Sequence, residues 1–309
     1  YMAAHGGRTV RLTIRASLQI KKEFERLGQQ VRVHLPLPRA ARQNSEIRIL
    51  ETSHPAICIA PEDAPQRTLC FETALRPDEV FSVTYSYINH VDYVCPDPNL
   101  VTAEHPDECL EEQAPHILFT PFLEELLAEI KGQETNVLLI ARRIYDFITT
   151  RVKYSFVREY AGLDNISEYA ARNLKGDCGV QALLFITLCR MAGIPARWQS
   201  GLYASQLDTG CHDWAEFYVA PYGWLYTDLS FGGSAWREGK TMRHNYYFGN
   251  LDIFRMAANC AIQSPLTPPK RHFRADPIDN QRGEVEYEDE GLTYRQFVNS
   301  QQTLSMEEL

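Results

Sequence analysis

Residues 175–198 read KGDCGVQALLFITLCRMAGIPARW, and this stretch decides the fold of the second half of the chain. The apolar residues between Val180 and Met191 occupy almost every side of a helix with 3.6 residues per turn. A helix that is apolar nearly all round is buried at the centre of its domain. The sequence therefore predicts a central helix that begins after Gly176-Asp177 and ends at about Met191, before the Gly-Ile-Pro run at 193–195.

The regions on either side of this helix have different periodicities. Before it, apolar stripes predict helices over about 121–131 and 135–152, the first opened by Thr120-Pro121. After it, residues 196–203, 214–219 and 224–229 have the character of short strands joined by tight turns. Helices followed by antiparallel strands favour an α+β fold over a doubly wound parallel sheet.

The N-terminal part of the chain alternates apolar and polar residues, as in Val10, Leu12 and Ile14 and again from Phe81 to Tyr87. This period of two indicates strands with one buried face, and the prolines at 36–77 favour short strands over long helices. We expect residues 1–94 to form an antiparallel β-sandwich.

These patterns predict four consecutive regions. They are a β-sandwich domain at 1–94, a proline-rich linker or loop at 95–114, a domain of helices and sheet at 115–264, and a C-terminal tail at 265–309. The acidic run at 284–290 is typical of a solvated tail, since it lacks the glycine and the alternating oxygen ligands of a calcium loop.

Composition excludes several classes of protein. The 309 residues have a net charge of -9, which argues against a nucleic-acid partner. No apolar run approaches the roughly 18 residues of a membrane span.

Phosphate-binding glycine motifs are absent, so we expect no nucleotide cofactor. The sequence shows no secretion signal, and we expect a cytoplasmic protein; it predicts no oligomeric state.

The eight cysteines are scattered without C-x-x-C pairs, and most are expected to be reduced and buried. Cys95, His105, Cys109 and His116 form a loose group, but their spacing matches no zinc finger, so no metal site is predicted.

Cys178 is the cysteine whose position suggests chemistry. It falls in the first turn of the predicted central helix, where free N–H groups and the helix dipole favour an anion such as a thiolate. Asp177 is a suitable N-cap, although its charge opposes thiolate formation. A nucleophilic cysteine at this position therefore still requires a separate base.

Two later residues can supply that base and a group to orient it. His212 begins one predicted strand and Asp228 ends the next. If the two strands are antiparallel neighbours, the start of one lies beside the end of the other, so His212 and Asp228 could face each other. The carboxylate would fix the imidazole tautomer and the other ring nitrogen would take the cysteine proton.

These residues lie in three ordered blocks: Gly176-Asp177-Cys178 with the run at 193–197, His212-Asp213-Trp214-Ala215-Glu216-Phe217, and Gly223-Trp224 with Asp228. Over roughly 115–235 the chain resembles the transglutaminase-like superfamily of papain-like cysteine enzymes. The stretches at 247–252, 276–277 and 280–281 are similar to its bacterial branch.

The resemblance implies a papain/transglutaminase-like core and a catalytic triad of Cys178 as nucleophile, His212 as general base and then acid, and Asp228 as orienting group. It implies an oxyanion hole built from the Cys178 N–H and a side chain upstream. Animal transglutaminases place a tryptophan upstream, whereas all four tryptophans here follow Cys178. Tyr154 and Tyr169 are both left as candidates.

We therefore expect a thiol-dependent enzyme that acts on an amide bond of a peptide or protein substrate through a thioester, without a cofactor. A peptidase or amidase is favoured over a transglutaminase, because transfer to an amine needs a shielded acceptor channel. A non-catalytic binding module is a third hypothesis, and the intact Cys178, His212 and Asp228 argue against it.

Overall fold

The computed structural model describes residues 1–309, which divide into two compact units. The helical unit consists of Tyr1–Gly6, Asp92–Gln199 and Asp213–Leu251. The sandwich unit consists of Gly7–Val91, Ser200–His212 and Asp252–Leu309. Each unit is thus assembled from separate segments of the chain, in contrast to the consecutive regions predicted from the sequence.

The secondary structure is mixed, and its sheets are antiparallel apart from one short pair. The helices are α1 (Met2–His5), α2 (Pro121–Lys131), α3 (Val137–Arg151), α4 (Ile166–Asn173), α5 (Cys178–Met191), α6 (Leu229–Arg237) and α7 (Thr241–Tyr246). The strands are β1 (Gly7–Ile20), β2 (Gln30–Pro36), β3 (Asn44–Thr52), β4 (Cys58–Ile59), β5 (Thr68–Ala74), β6 (Val80–Asp92), β7 (Lys153–Tyr154), β8 (Lys175–Gly176), β9 (Ala196–Ala204), β10 (Thr209–Val219), β11 (Gly223–Thr227), β12 (Phe248–Gly249), β13 (Arg255–Asn259), β14 (Glu284–Tyr287) and β15 (Phe297–Glu308). The predicted α+β class is confirmed.

Helix α5 is the centre of the helical unit, as its composition predicts. Every residue from Gly179 to Cys189 is buried. Phe185 of α5 packs edge-on against Phe217 of β10, with ring centroids 5.6 Å apart. Helices α2 and α3 also lie close to their predicted bounds, and both begin with side-chain caps, Thr120 and Asn136. The predicted helices around α5 are thus confirmed.

Helices α6 and α7 were not predicted. Helix α6 contains Gly232-Gly233, and glycine has a low helix propensity. In the fold, the missing side chain at Gly232 is what lets α6 approach α3, because a Cβ there would stand 2.7 Å from the Tyr145 ring and 3.2 Å from Thr149. Close packing on α3 therefore overrides the weak local preference.

In the helical unit, β11 pairs with β10 on one side and β12 on the other. The register runs from Ala215 opposite Thr227 to Val219 opposite Gly223, around the predicted turn at 221–223. Gly223 has φ 76°, a conformation that suits glycine in a tight hairpin. This hairpin fixes the positions of the residues at the start of β10 and just after β11.

The sandwich unit contains two four-stranded antiparallel sheets, ordered β15-β1-β6-β3 and β14-β2-β5-β4. Alternate residues of β1 are buried, from Val10 and Leu12 to Ile20, as the period of two predicts. Phe71 of β5 and Phe81 of β6 belong to different sheets, and their ring centroids are 6.0 Å apart. The predicted β-sandwich is confirmed.

The predicted tail is wrong in one respect: much of its sequence belongs to the sandwich. Strand β14 pairs with β2 and β15 pairs with β1. Glu284, in the acidic run, is fully buried and accepts a hydrogen bond from Lys270 at 2.7 Å. Val285 and Tyr287 are also buried, so the chain gains apolar contacts while the lysine compensates the buried carboxylate. The high density of acidic residues at 284–290 is typical of an exposed tail, so the sequence did not indicate this strand.

No helix in the structure is long and apolar enough to cross a membrane. The longest, α3, has 15 residues, whereas a spanning helix needs about 20.

The Lys270–Glu284 pair gives a test of the corrected C-terminal fold. Replacing Lys270 by Met removes the nearer of two cations beside the buried Glu284 carboxylate and leaves Arg274 at 3.7 Å, so the free energy of unfolding should fall by about 3 kcal/mol, the lower end for a broken buried pair. Chemical denaturation followed by circular dichroism measures this change. Arg8→Met is the control, because the Arg8–Glu308 pair is exposed (side chains 32% and 47% exposed) and should cost at most about 1 kcal/mol. Equal losses in the two variants would contradict a buried Glu284.

Candidate functional site

Cys178 is the first residue of α5, as predicted. The preceding residue, Asp177, has extended backbone and caps the helix by accepting a hydrogen bond from the Val180 N–H at 3.1 Å. The N–H groups of the first turn have no partner within the helix and point towards its N-terminal end. The thiol therefore lies where the helix presents hydrogen-bond donors to an incoming group.

The thiol of Cys178 contacts a carboxylate that the sequence analysis did not assign to the site. Its Sγ donates a hydrogen bond to Oδ2 of Asp213 in β10, at 3.1 Å. The backbone N–H of Asp213 also donates to the sulfur. Asp213 follows His212 directly in the sequence, but nothing in the sequence distinguished Asp213 from an ordinary strand residue.

Two tyrosines complete the group of side chains around Cys178. Tyr160, in a short 3-10 turn at Tyr160–Gly162, donates its hydroxyl to Oδ1 of Asp177 at 2.6 Å. Tyr154 lies near Cys178, since the charge of the sulfur is the first cause of the raised pKa of this tyrosine. Of the two tyrosines predicted as oxyanion partners, the structure thus brings Tyr154 to the cysteine. Tyr169 lies half-buried in α4, and Tyr160 was missed.

The position of Tyr154 is set by the main chain. Strands β7 and β8 form a parallel pair in which Tyr154 lies opposite Gly176. The Ser155 N–H donates to the Gly176 carbonyl at 3.2 Å, and the Lys153 N–H donates to the Leu174 carbonyl at 2.9 Å. Because Gly176 is two residues before Cys178, this pairing brings Tyr154 close to the cysteine.

Gly179 is the position that makes the cluster compact. A Cβ at this residue would clash with the Tyr160 hydroxyl and would stand 2.9 Å from Asp213 Oδ2 and 3.2 Å from the Trp198 ring. Trp198 comes from β9, downstream in the sequence, and it is buried. An aromatic wall therefore exists beside the first turn of α5 although no tryptophan precedes Cys178.

The electrostatics of the thiol differ from the sequence expectation of a stabilised thiolate. The pKa of Cys178 is raised well above its ordinary value, first by burial, then by the nearby carboxylates of Asp213 and Asp177. The hydrogen bond from the Asp213 N–H opposes this rise but does not outweigh it. The resting cysteine is therefore a neutral thiol, because two negative groups and burial overcome the favourable helix N-terminus.

The tyrosines also keep their protons. The pKa of Tyr154 is raised, chiefly by the negative charge of a Cys178 thiolate and then by burial. Burial is the main cause of the raised pKa of Tyr160, followed by Asp177 and Asp213. Both hydroxyl groups are therefore hydrogen-bond donors at neutral pH, and Tyr154 is 47% exposed, so solvent reaches this side of the cluster.

The two other predicted catalytic residues are buried. His212 lies in β10 directly before Asp213 and is 5% exposed. Asp228 is fully buried and caps α6, accepting from the Phe231 N–H at 3.0 Å and from the Ser230 hydroxyl at 3.2 Å. Asp228 thus also has a structural role that the sequence analysis did not predict. The parts that Cys178, His212 and Asp228 play in catalysis stay predictions.

No group of three or more His, Cys, Asp and Glu side chains in the structure could hold a metal ion. All eight cysteines are free.

Part of the chain matches a known protein family, and the chain is similar in fold to solved structures. Residues 124–229 match the family model described as the transglutaminase-like superfamily. No curated protein matches the chain. One solved structure, described as "a Putative Cysteine Protease from Cytophaga hutchinsonii", is similar over 98% of each chain, with 12% identity and a TM-score of 0.55. The periplasmic domain of TgpA from Pseudomonas aeruginosa is 14% identical over 76% of this chain and 92% of that chain, with a TM-score of 0.41. The first structure has the same fold as this chain.

Gly179 provides a test of the cluster. Alanine normally stabilises a helix by about 1 kcal/mol relative to glycine, but the Cβ would be forced against Tyr160 and Asp213. We therefore expect Gly179→Ala to lower the free energy of unfolding by about 1–3 kcal/mol. Thermal and urea denaturation measure it. Gly210→Ala is the control, since no atom lies within 4 Å of its added Cβ. A Gly179→Ala variant that is more stable than the unmodified chain would contradict the crowding around Gly179.

Proposed function

We propose that the chain is a cysteine-dependent enzyme that cleaves amide bonds of peptides or proteins, starting from the match of residues 124–229 to the model of the transglutaminase-like superfamily. The observation that carries the proposal is the Cys178 thiol at the N-terminus of the buried helix α5, within a cluster of hydrogen-bonding groups. The family match and this arrangement together support a cysteine enzyme in general.

In the proposed reaction, Cys178 attacks the carbonyl carbon of the amide and forms a tetrahedral intermediate. The nitrogen leaves as an amine after it receives a proton, and a thioester on Cys178 remains. Water then attacks the thioester, releases the carboxylic acid and regenerates the thiol. The Cys178 N–H and the Tyr154 hydroxyl are proposed to donate hydrogen bonds to the oxyanion. The proximity of Tyr154 to Cys178 supports that role.

The base in this reaction is proposed to be His212, with Asp228 as its orienting group. Asp213 touches the thiol, but an ordinary carboxylate is a poor acceptor, since moving a proton from a thiol of pKa near 8.5 to a carboxylate near 3.9 costs about 6 kcal/mol. An ordinary imidazole near 6.5 reduces this cost to about 3 kcal/mol. A histidine is thus the better base, and the sequence motif around His212 supports it.

Hydrolysis is proposed as the dominant outcome, with amine transfer as the alternative. A transferase must keep water away from the thioester, and Tyr154 beside Cys178 is 47% exposed. Trp198 provides an aromatic wall on one side of the first turn of α5. Solvent access along the tyrosine favours water as the acceptor.

The direct test uses denatured casein as the substrate mixture. Incubation with the full chain should generate new peptide termini that mass spectrometry detects, and Cys178→Ala should generate none. Cys189→Ala is a control variant, because Cys189 is buried in the body of α5. New termini produced equally by the Cys178→Ala variant would overturn the proposal that this thiol is the nucleophile.

The acceptor is tested in the same mixture with dansylcadaverine, a fluorescent primary amine. We expect hydrolysis products to dominate even when the amine reaches millimolar concentration, because solvent reaches the Tyr154 side of the cluster. If amine-labelled peptides dominate instead, the chain is a transferase and the hydrolase proposal is wrong.

Asp228→Asn separates chemistry from folding. Asparagine caps helices as well as aspartate does, so α6 and the melting temperature should be preserved. Loss of the charge that stabilises an imidazolium should lower kcat on a cleaved casein peptide by about 10²–10⁴-fold. Asp164→Asn is the control, because Asp164 is exposed. An unchanged kcat in Asp228→Asn would remove Asp228 from the catalytic triad.

A further inference from the structure

The two carboxylates near Cys178 differ in what they bind. Oδ1 of Asp177 accepts hydrogen bonds from the Tyr160 hydroxyl and from the Val180 N–H, so its role in the helix cap is defined. Asp213 is the carboxylate that accepts the hydrogen bond of the thiol itself. Since Asp213 comes from β10 and not from α5, its contact with Cys178 is a tertiary interaction that the cap does not require.

We propose that Asp213 restrains the nucleophile: its carboxylate accepts the S–H hydrogen bond of Cys178 and holds the sulfur in the neutral thiol form in the resting enzyme. This role is a positioning and regulatory one, and it rests on the proposed function of Cys178. The substrate reaction then begins from a thiol, and loss of the proton depends on the base and on release of this hydrogen bond.

The physical reason is the different interaction of the carboxylate with the two forms of the sulfur. A thiol donates to Asp213 Oδ2 at 3.1 Å, whereas a thiolate at the same place would face a like charge with no proton between them. The raised pKa of Cys178 agrees with this geometry. The restraint therefore opposes premature ionisation of a nucleophile at a helix N-terminus.

Three other kinds of titratable group lie near Asp213 and the thiol. The Tyr154 and Tyr160 hydroxyl groups remain protonated and act as donors. Asp177 adds a second negative charge from the helix cap, and His212 is the sequence neighbour of Asp213. Removing the charge of Asp213 alone should consequently leave the cap and the tyrosines intact while making the thiolate easier to form.

The experiment measures alkylation of Cys178 by iodoacetamide between pH 6 and pH 10.5, with peptide mass spectrometry to resolve each cysteine of the full chain. In the unmodified chain, the midpoint for Cys178 should lie above about 8.5, the value of an ordinary thiol. In Asp213→Asn, the midpoint should fall by about one pH unit or more, and alkylation at pH 7.5 should be about ten-fold faster.

Asp213→Glu tests whether charge is the cause, since it keeps the carboxylate and should keep a high midpoint. Asp164→Asn, which removes an exposed charge, should leave the midpoint of Cys178 unchanged. An unchanged or higher midpoint in a folded Asp213→Asn variant would overturn the restraint. If Asp213→Asn does not fold by circular dichroism, a midpoint at or below about 8.5 in the unmodified chain overturns it just as well.

The outcome is separable from that of the proposed function. Alkylation needs no substrate, so a shifted midpoint supports the restraint even if casein is never cleaved. Conversely, cleavage that depends on Cys178 together with an unshifted midpoint would preserve the enzyme and reject the role of Asp213.

Discussion

Burial of α5 on all sides is the constraint on which the rest of the helical unit depends. A helix packed all round cannot rotate or slide without exposing apolar side chains or opening cavities. Its contact with the sheet through Phe185 and Phe217 fixes its position further. The first residue of this helix is Cys178, so the packed core also fixes the position of this cysteine, although the cysteine itself is only partly buried.

The same burial changes the chemistry of the cysteine. A helix N-terminus favours an anion by typically 0.3–1 kcal/mol at exposed positions, whereas burial without a cation can shift a pKa by several units. Around Cys178 the nearest charged groups are carboxylates, and the pKa of the thiol is raised. The helix terminus therefore does not ionise the resting sulfur, and its N–H donors are left for the oxyanion of the proposed reaction.

Much of the fold was predictable because its signals are local and periodic. The all-round apolar pattern of α5, the alternation in β1 and the Thr120-Pro121 start of α2 each identify an element without knowledge of its partners. The exceptions are elements stabilised by distant residues. In strand β14, the charge of Glu284 is compensated by a lysine 14 positions away. Helix α6 is stabilised by close packing on α3, which its glycines allow.

The site follows the same rule. The position of Cys178 after an N-cap could be predicted from five consecutive residues, KGDCG. The contact of Asp213 with the thiol could not, because it depends on how β10 lies against the start of α5. Tyr160 was missed for a related reason, because its partner is the cap residue Asp177, 17 positions later. A single turn also has no periodic pattern from which the role of one of its side chains could be predicted.

The pairing of β7 with β8 has a consequence for how such a site can diversify. Position 154 is held beside the cysteine by hydrogen bonds between main-chain groups, which every residue except proline can make. The side chain there can therefore be exchanged without moving the backbone that delivers it. A hydroxyl, an indole or an amide at position 154 would therefore lie close to the sulfur. The backbone fixes where this residue stands, and its side chain is free to vary.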